Sequence, residues 1–333
     1  MAVSVPAPEA VAFLPLSKSG VSLTPRFADD PLRTFLWAEF PDLRAFYRVW
    51  RQRVHSWPTA LLSDQIDPAR YDWERAGRAV AYLVRYHLGR TALADTPAAA
   101  GATAIAHGTA RIGSARGVTL AERQQLLGLW TATTTLWTSA TLHRPPWHPE
   151  PLIRAAMLAA AFDQVTATGF VPRDLLDLTD VRDAFLLQSR RMRIDLAALF
   201  PTTDPRRALP DSPEAATFCE PAQWGPSPAP ARVIQGRILW HLYAVPTLEA
   251  LPAAWPHALA LDVLRDTRDR WALRGTGIWL VRHQQAVAWP WPLFAEALGG
   301  DGRGTLRASR RRLHAAVPDR TVRDLWIPAP AHP

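Results

Sequence analysis

The sequence predicts an α+β fold, predominantly helical, with a helical N-terminal body and a small mixed β-sheet domain at the C-terminus. Three observations carry this prediction. Apolar residues recur at helical spacing to about residue 200. Residues 201–230 then hold eight prolines, a density that no regular element is expected to survive. Beyond them come short runs rich in Val, Ile, Trp and Tyr, which suit strands. The predicted organisation is an irregular leader (1–30), a helical body (31–200), a Pro-rich linker or loop (201–230), a small α/β core (231–316) and a tail (317–333).

Each element has its own signal. Asp30-Pro31 places an N-cap before a proline at the first helical position and opens a helix over 31–40. Pro41 interrupts it. A second helix, 42–57, is amphipathic through Leu43, Phe46, Tyr47, Trp50 and Val54, with Arg44, Arg48 and Arg51 on another face. That arginine stripe reads as a solvated face before a phosphate contact. Asp67-Pro68 repeats the start signal, predicting a helix over 68–88 that stops at Gly89. Residues 91–118, rich in Ala, Gly and Thr, yield no assignment. Thr119 to Glu122 reads as a capping box opening a helix to about Leu142. His143 and His148 flank Arg144-Pro145-Pro146-Trp147 and read as a Pro-stiffened turn, since no third metal ligand sits nearby. Apolar helices follow over 151–168, ending at Gly169, and over 180–200.

After the Pro-rich stretch, Arg232–Ile234 and Arg237–Val245 read as strands joined by a Gln235-Gly236 turn. A helix is expected over 258–270. Strands over 276–282 and 286–289 form a second hairpin about His283-Gln284-Gln285. Gly275 and Gly277 are read as part of a tight turn. Helices over 290–298, ending at Gly299-Gly300, and over 303–314 complete the pattern.

Composition excludes several functions. The 333 residues are 48% hydrophobic and 20% charged, as a folded chain requires. No apolar run reaches the roughly 18–20 residues a membrane helix needs, and no basic region precedes the apolar start. Cys219 is the sole cysteine, so neither an internal disulfide nor a Cys-built zinc site can form. A cytoplasmic protein without a membrane partner is the expectation. The net charge of +8 favours polyanions. Lys18 is the single lysine among 38 Lys and Arg residues, however, and that bias also suits a GC-rich coding sequence. The lysine count removes the GxxxxGK[ST] phosphate loop and any lysine-based covalent chemistry from the body of the fold. His-Glu-x-x-His, Gly-x-Ser-x-Gly and a strand-borne Gly-x-Gly-x-x-Gly are also absent. The fifteen tryptophans lie mostly on helical stripes or beside prolines and read as core.

Three segments carry a resemblance: GRAVAYLVRYHLG (77–89), VIQGRILWHLYAV (233–245) and LDVLRDTRDRWALRGTGIWLVRHQQAVAWPWPLFAEALGG (261–300). Their texture resembles a family of uncharacterised bacterial proteins with a PD-(D/E)XK, restriction-endonuclease-like core. The resemblance implies a core of that type over 231–316. It also implies an Asp on the first strand of the 233–245 hairpin and an Asp/Glu-x-Lys on the second. Two carboxylates would hold Mg²⁺, which generates hydroxide, while the lysine orients the water. Here the first strand offers Ala231, Arg232 and Val233. The second offers Trp240-His241-Leu242 or, slid by one, His241-Leu242-Tyr243. Neither register supplies a carboxylate or a lysine, so the nuclease core reads as degenerate.

The expected function is therefore that of a non-catalytic nuclease-like protein binding nucleic acid, DNA or RNA, or a protein partner, in a defence, replication or mobile-element setting. No catalytic residue, metal or cofactor is assigned. The predicted nucleic-acid contacts are Arg303, Arg307, Arg310, Arg311 and Arg312, of which the first four nearly share a helix face. One alternative is a Mg²⁺-dependent nuclease with a relocated site, for which Glu74, His241 and Asp262 are the candidates. Asp262, Asp266 and Asp269 have i, i+4, i+7 spacing, but Arg265, Arg268 and Arg270 interleave, which reads as a salt-bridged solvated face. Another alternative is a helical assembly protein, a homo-oligomer without nucleic acid.

Overall fold

The computed structural model describes residues 31–62, 71–89, 92–113, 116–142, 149–176, 190–209, 216–219, 231–266, 269–301 and 304–317. Within them the fold is α+β, as predicted, with a mixed five-stranded sheet between helical layers. The leader, residues 318–333 of the tail, Lys18, Asp67, Pro68, His143 and His148 lie outside the described residues.

Caps set most helix starts. In α2 (Leu43–Val54), which follows α1 (Pro31–Glu39), Asp42 accepts a hydrogen bond from the amide of Ala45 at 2.8 Å. α3 (Trp73–His87) starts later than Asp67-Pro68 suggested, because Asp72 is its cap, accepting from the amide of Arg75 at 2.9 Å. Gly89, at φ +71°, follows its end as expected. The unassigned stretch contains α4 (Pro97–Ala106), capped by Thr96 with Pro97 in its first turn, and a two-stranded ribbon of β1 (Arg111–Ile112) and β2 (Arg116–Gly117). The capping box before α5 (Leu120–Leu142) is formed: Glu122 Oε2 accepts from the Thr119 amide at 2.8 Å, and Thr119 Oγ1 from the Glu122 amide at 3.3 Å. α6 (Glu150–Thr168) ends at left-handed Gly169. α7 (Arg173–Leu176) is a single turn, and α8 (Arg190–Leu199) is the described part of the helix expected over 180–200.

The Pro-rich stretch is not devoid of structure. It holds a short helix, α9 (Pro205–Ala208), and an edge strand, β3 (Thr217–Phe218). β3 pairs antiparallel with β4 (Ala231–Gln235), setting Thr217 opposite Ile234. Two residues suffice because Ala216 to Cys219 is a proline-free window whose amides can join the ladder.

The sheet order is β3-β4-β5-β6-β7. β4 and β5 (Ile238–Tyr243) form the first hairpin, closed by the Gln235–Ile238 pair. Its turn residues are therefore Gly236 and Arg237, both at φ +60°, one position later than expected. Two left-handed residues make a turn whose twist matches the strands. The chain crosses over through α10 (Trp255–Arg265) to β6 (Gly275–Leu280), parallel to β5, and returns antiparallel in β7 (Gln285–Pro290). α11 (Trp291–Ala297) and α12 (Leu306–Ala316) follow.

Both faces of the sheet are buried. Val233, Trp240, Leu242 and Trp279 pack with α3, α4, α5, α6 and α8. Ile234, Leu239, Tyr243, Ile278 and Leu280 pack with α1, α2, α10, α11 and α12. The first two helices, grouped by sequence with the helical body, thus belong to the opposite layer. Phe46 and Trp50 of α2 meet Trp255 and Trp289 edge-on or tilted, at ring separations of 5.1–6.0 Å.

Glycines permit close approach within the sheet and between helices. Gly275 and Gly277 lie within β6, not in a turn, and a Cβ on Gly277 would stand 2.5 Å from Trp240 Cε3 on the paired strand. Gly101 lets α4 rest on α6, where a Cβ would overlap the carbonyl of Phe162. Gly128 of α5 has open space around it. Accordingly, Gly101→Ala is expected to destabilise the protein by about 1–3 kcal/mol through overpacking, whereas Gly128→Ala stabilises it by about 0.5–1 kcal/mol through helix propensity. Urea midpoints of the two variants test this contrast. Equal shifts in the same direction contradict the helix contact.

Candidate functional site

The first hairpin and α10 meet at a buried cluster of charge. Arg232 of β4 stands opposite His241 of β5 in the ladder. Strand alternation turns both toward the layer that holds α10. From α10, Asp262 projects between them. Arg232 Nη1 donates to Asp262 Oδ2 at 3.0 Å, and Arg265 Nη1 donates to Oδ1 at 3.0 Å. His241 Nε2 lies 3.0 Å from Oδ2, an electrostatic approach not aligned as a directed hydrogen bond. Asp262, Arg232 and His241 are 2%, 3% and 0% exposed.

The electrostatics follow from that burial. Desolvation alone would raise the Asp262 carboxyl, but Arg232, His241 and Arg265 outweigh it and hold the group well below the usual carboxylate range. Desolvation lowers His241, with Asp262 opposing. Tyr243, on the same strand face, is pushed far up by burial, with Asp262 adding to the shift. Asp262 is thus an ionised carboxylate whose two oxygens are already engaged. It is placed to neutralise arginine rather than to ligate a cation.

The acidic trio departs from the sequence reading. α10 ends at Arg265, so Asp266 and Asp269 do not continue its face. Asp266 instead accepts the amides of Arg270 at 2.8 Å and Trp271 at 3.3 Å, while Asp269 and Ala272 take positive φ. Asp262 and Asp266 are buried, and only Asp269 is exposed. The carboxylates are salt-bridged as expected, but they are not a solvated face. Arg268 lies outside the described residues. Among the described residues no group of three or more His, Cys, Asp or Glu is placed to hold a metal.

Glu74 is elsewhere. It begins α3, accepts from Arg78 at 2.7 Å, and Arg78 also binds Asp163 of α6. α3 packs on the sheet face opposite the Asp262 cluster, so the sheet separates these two relocated-site candidates. His241 joins Asp262 but not Glu74.

The predicted arginine track on α12 also breaks up. Arg310 is 5% exposed and is bound internally: Nη1 to Asp269 at 2.7 Å, Nη2 to Asp266 at 3.2 Å, and Nε to the Val263 carbonyl at 3.3 Å. Arg312 is paired with Glu39 of α1. Arg307 and Arg311 are exposed, and Arg303 lies outside the described residues. Of the described arginines of α12, two are thus claimed by carboxylates of the fold and two face solvent.

One centre had no sequence signal. Arg282, just past β6, grips both oxygens of Asp195 from α8 at 2.7 and 2.5 Å. Its Nε donates to Ala244 O at 2.9 Å, its guanidinium sits 4.9 Å from the Trp73 ring, and Tyr71 donates its hydroxyl to Asp195. Arg282 and Asp195 are each 1% exposed and tie the helical layer to the sheet. Sequence separation hides such a pair. Arg232 was more legible, as a charge inside an apolar strand.

Asp262→Asn leaves Arg232 and Arg265 without their buried counter-charge and is expected to cost about 3–5 kcal/mol at pH 7. The wild type carries a pH signature as well. The depressed Asp262 contributes stability above the ordinary carboxylate range that is lost as pH falls through its lower folded value. His87, His241 and His257 are all lowered by burial, so protonation of the unfolded chain below about pH 6.5 removes stability earlier. Urea unfolding from pH 8 to 3 should show decline beginning near pH 6.5, with a shallower acid limb in Asp262→Asn. A midpoint at pH 7 equal to wild type would contradict the cluster's role.

Compared with protein families, curated proteins and solved structures, the chain has no match.

Proposed function

We propose that the chain is a nuclease-like scaffold that binds nucleic acid without cleaving it. The observation that carries this reading is the closed ion cluster at the first hairpin. The resemblance expects metal-binding acids and a lysine there; the chain instead places Arg232 and His241 on the strands, with Asp262 saturated between Arg232 and Arg265. With one guanidinium on each oxygen, the Asp262 carboxylate is already neutralised by the protein, which opposes recruitment of a magnesium ion. The order of elements supports the nuclease-like part: hairpin, crossover helix, parallel strand and Trp-Pro return strand follow the segments in which the resemblance was read. The net charge of +8 supports a polyanionic partner.

The test has two arms. Binding to a fluorescent duplex DNA of about 25 base pairs should weaken steeply with salt, because each phosphate contact releases counterions. Supercoiled plasmid, single-stranded DNA and RNA should survive incubation with Mg²⁺ or Mn²⁺. Salt-insensitive or undetectable binding overturns the reading. Cleavage that disappears in folded Glu74→Gln or Asp262→Asn protein replaces it with a nuclease whose site has moved.

A further inference from the structure

Several arginines of the described residues are structural. Arg78, Arg232, Arg265, Arg282, Arg310 and Arg312 each hold a carboxylate, several of them out of solvent. α2 behaves differently. Its twelve residues include four arginines and no acid. Arg44, Arg48 and Arg51 are all exposed, and none pairs with a carboxylate among the described residues. At 100° per residue they fall within about 60° of arc, and along the axis they span about 10 Å.

The helix beneath them is fixed. Phe46, Trp50 and Val54 are buried on its other side, and Trp50 packs edge-on against Trp57 and Trp255 at 5.3 and 5.1 Å. Asp42 caps the first turn. The three guanidiniums therefore extend from a rigid support, which lowers the ordering cost of engaging a partner. Exposed, and without a carboxylate partner among the described residues, they form a row of positive charge that suits an anionic partner.

We infer that the Arg44–Arg48–Arg51 stripe of α2 is the protein's contact with the phosphate backbone of duplex DNA. The inference rests on the nucleic-acid reading above and relocates its contact from α12 to α2. The lengths agree: over about 10 Å one strand of a duplex presents about three phosphates, at about 3.4 Å of axis each. The chemistry agrees as well, since guanidinium forks match phosphate oxygens. A single strand would call for aromatic rings to stack its bases. The ring beside the stripe, Tyr47, is committed elsewhere: it packs on Phe46 and Trp255, and its hydroxyl donates to Ala253 O at 2.6 Å. Contacts of this kind read no base edges, so binding is expected to be indifferent to sequence.

The experiment compares two triple variants of the full chain on the same random-sequence 25-base-pair duplex, by anisotropy between about 50 and 200 mM salt. Arg44→Gln/Arg48→Gln/Arg51→Gln should reduce the log–log salt slope by about 2–3 and weaken binding at least tenfold at low salt. Arg173→Gln/Arg190→Gln/Arg191→Gln removes the same charge from exposed arginines of α7 and α8 and should leave the slope unchanged. Helical circular dichroism and thermal midpoints verify that both variants are folded. An unchanged slope in the α2 variant, equal losses in both variants, or a preference for a single strand of the same length overturns the inference while leaving nucleic-acid binding standing. A wild-type protein that binds no duplex at all removes both.

Discussion

The structure depends on how it stores charge inside a two-faced sheet. An α/β/α arrangement buries both faces of its central strands, so any ionisable group there must be matched in place or expelled. Asp262 is the pivot on one side, engaged by Arg232, Arg265 and His241; Asp195 with Arg282 is the pivot on the other. Each joins elements that packing alone would leave free to slide: hairpin to α10, and α8 to the end of β6. Such pairs add little net stability over well-packed apolar residues, but breaking one strands a buried charge. They act as registration points between layers.

Arginine chemistry explains why a chain with one lysine can be built this way. The guanidinium stays charged when buried and offers several donors in a planar fork, so one residue can satisfy a carboxylate and a carbonyl together. Arg310 does so with Asp266, Asp269 and the carbonyl of Val263, and Arg282 with Asp195 and the carbonyl of Ala244. Internal pairing removes positive and negative charge together, so it leaves the net charge at +8 but decides which arginines carry it. Subtracting the internal pairs leaves α2 as a helix whose arginines face only solvent. No helix of the described residues is long and apolar enough to cross a membrane.

Much of the fold was legible where the signal is local. Amphipathic spacing announced α2 and a capping box α5, left-handed glycines ended α3 and α6, and strand composition marked β4 through β7. The misses share a cause. Thr96-Pro97 is as good a start signal as Asp30-Pro31, but the Ala-rich α4 behind it has no amphipathic stripe, since its small side chains serve close packing on α6. The Gly236-Arg237 turn was displaced by one residue because pairing partners across the ladder, not Gly alone, set the register. α10 ended early because the Asp266 carboxylate captured the amides that a continuing helix would have used.

The sequence by itself determined the class of fold, the longer amphipathic helices and the strands of the two hairpins, and the absence of a lysine-based or two-carboxylate centre on the first hairpin. Those are properties of residue type and spacing along a single strand or helix. Tertiary structure alone decided which side of the sheet α1 and α2 occupy, which carboxylates are buried, and which arginines remain available. The physical reason is that a guanidinium carries the same charge in any sequence context, while its partner is chosen by packing between elements far apart in the chain. Arg310 and Arg311 are neighbours, yet one is clamped to Asp266 and Asp269 and the other meets water.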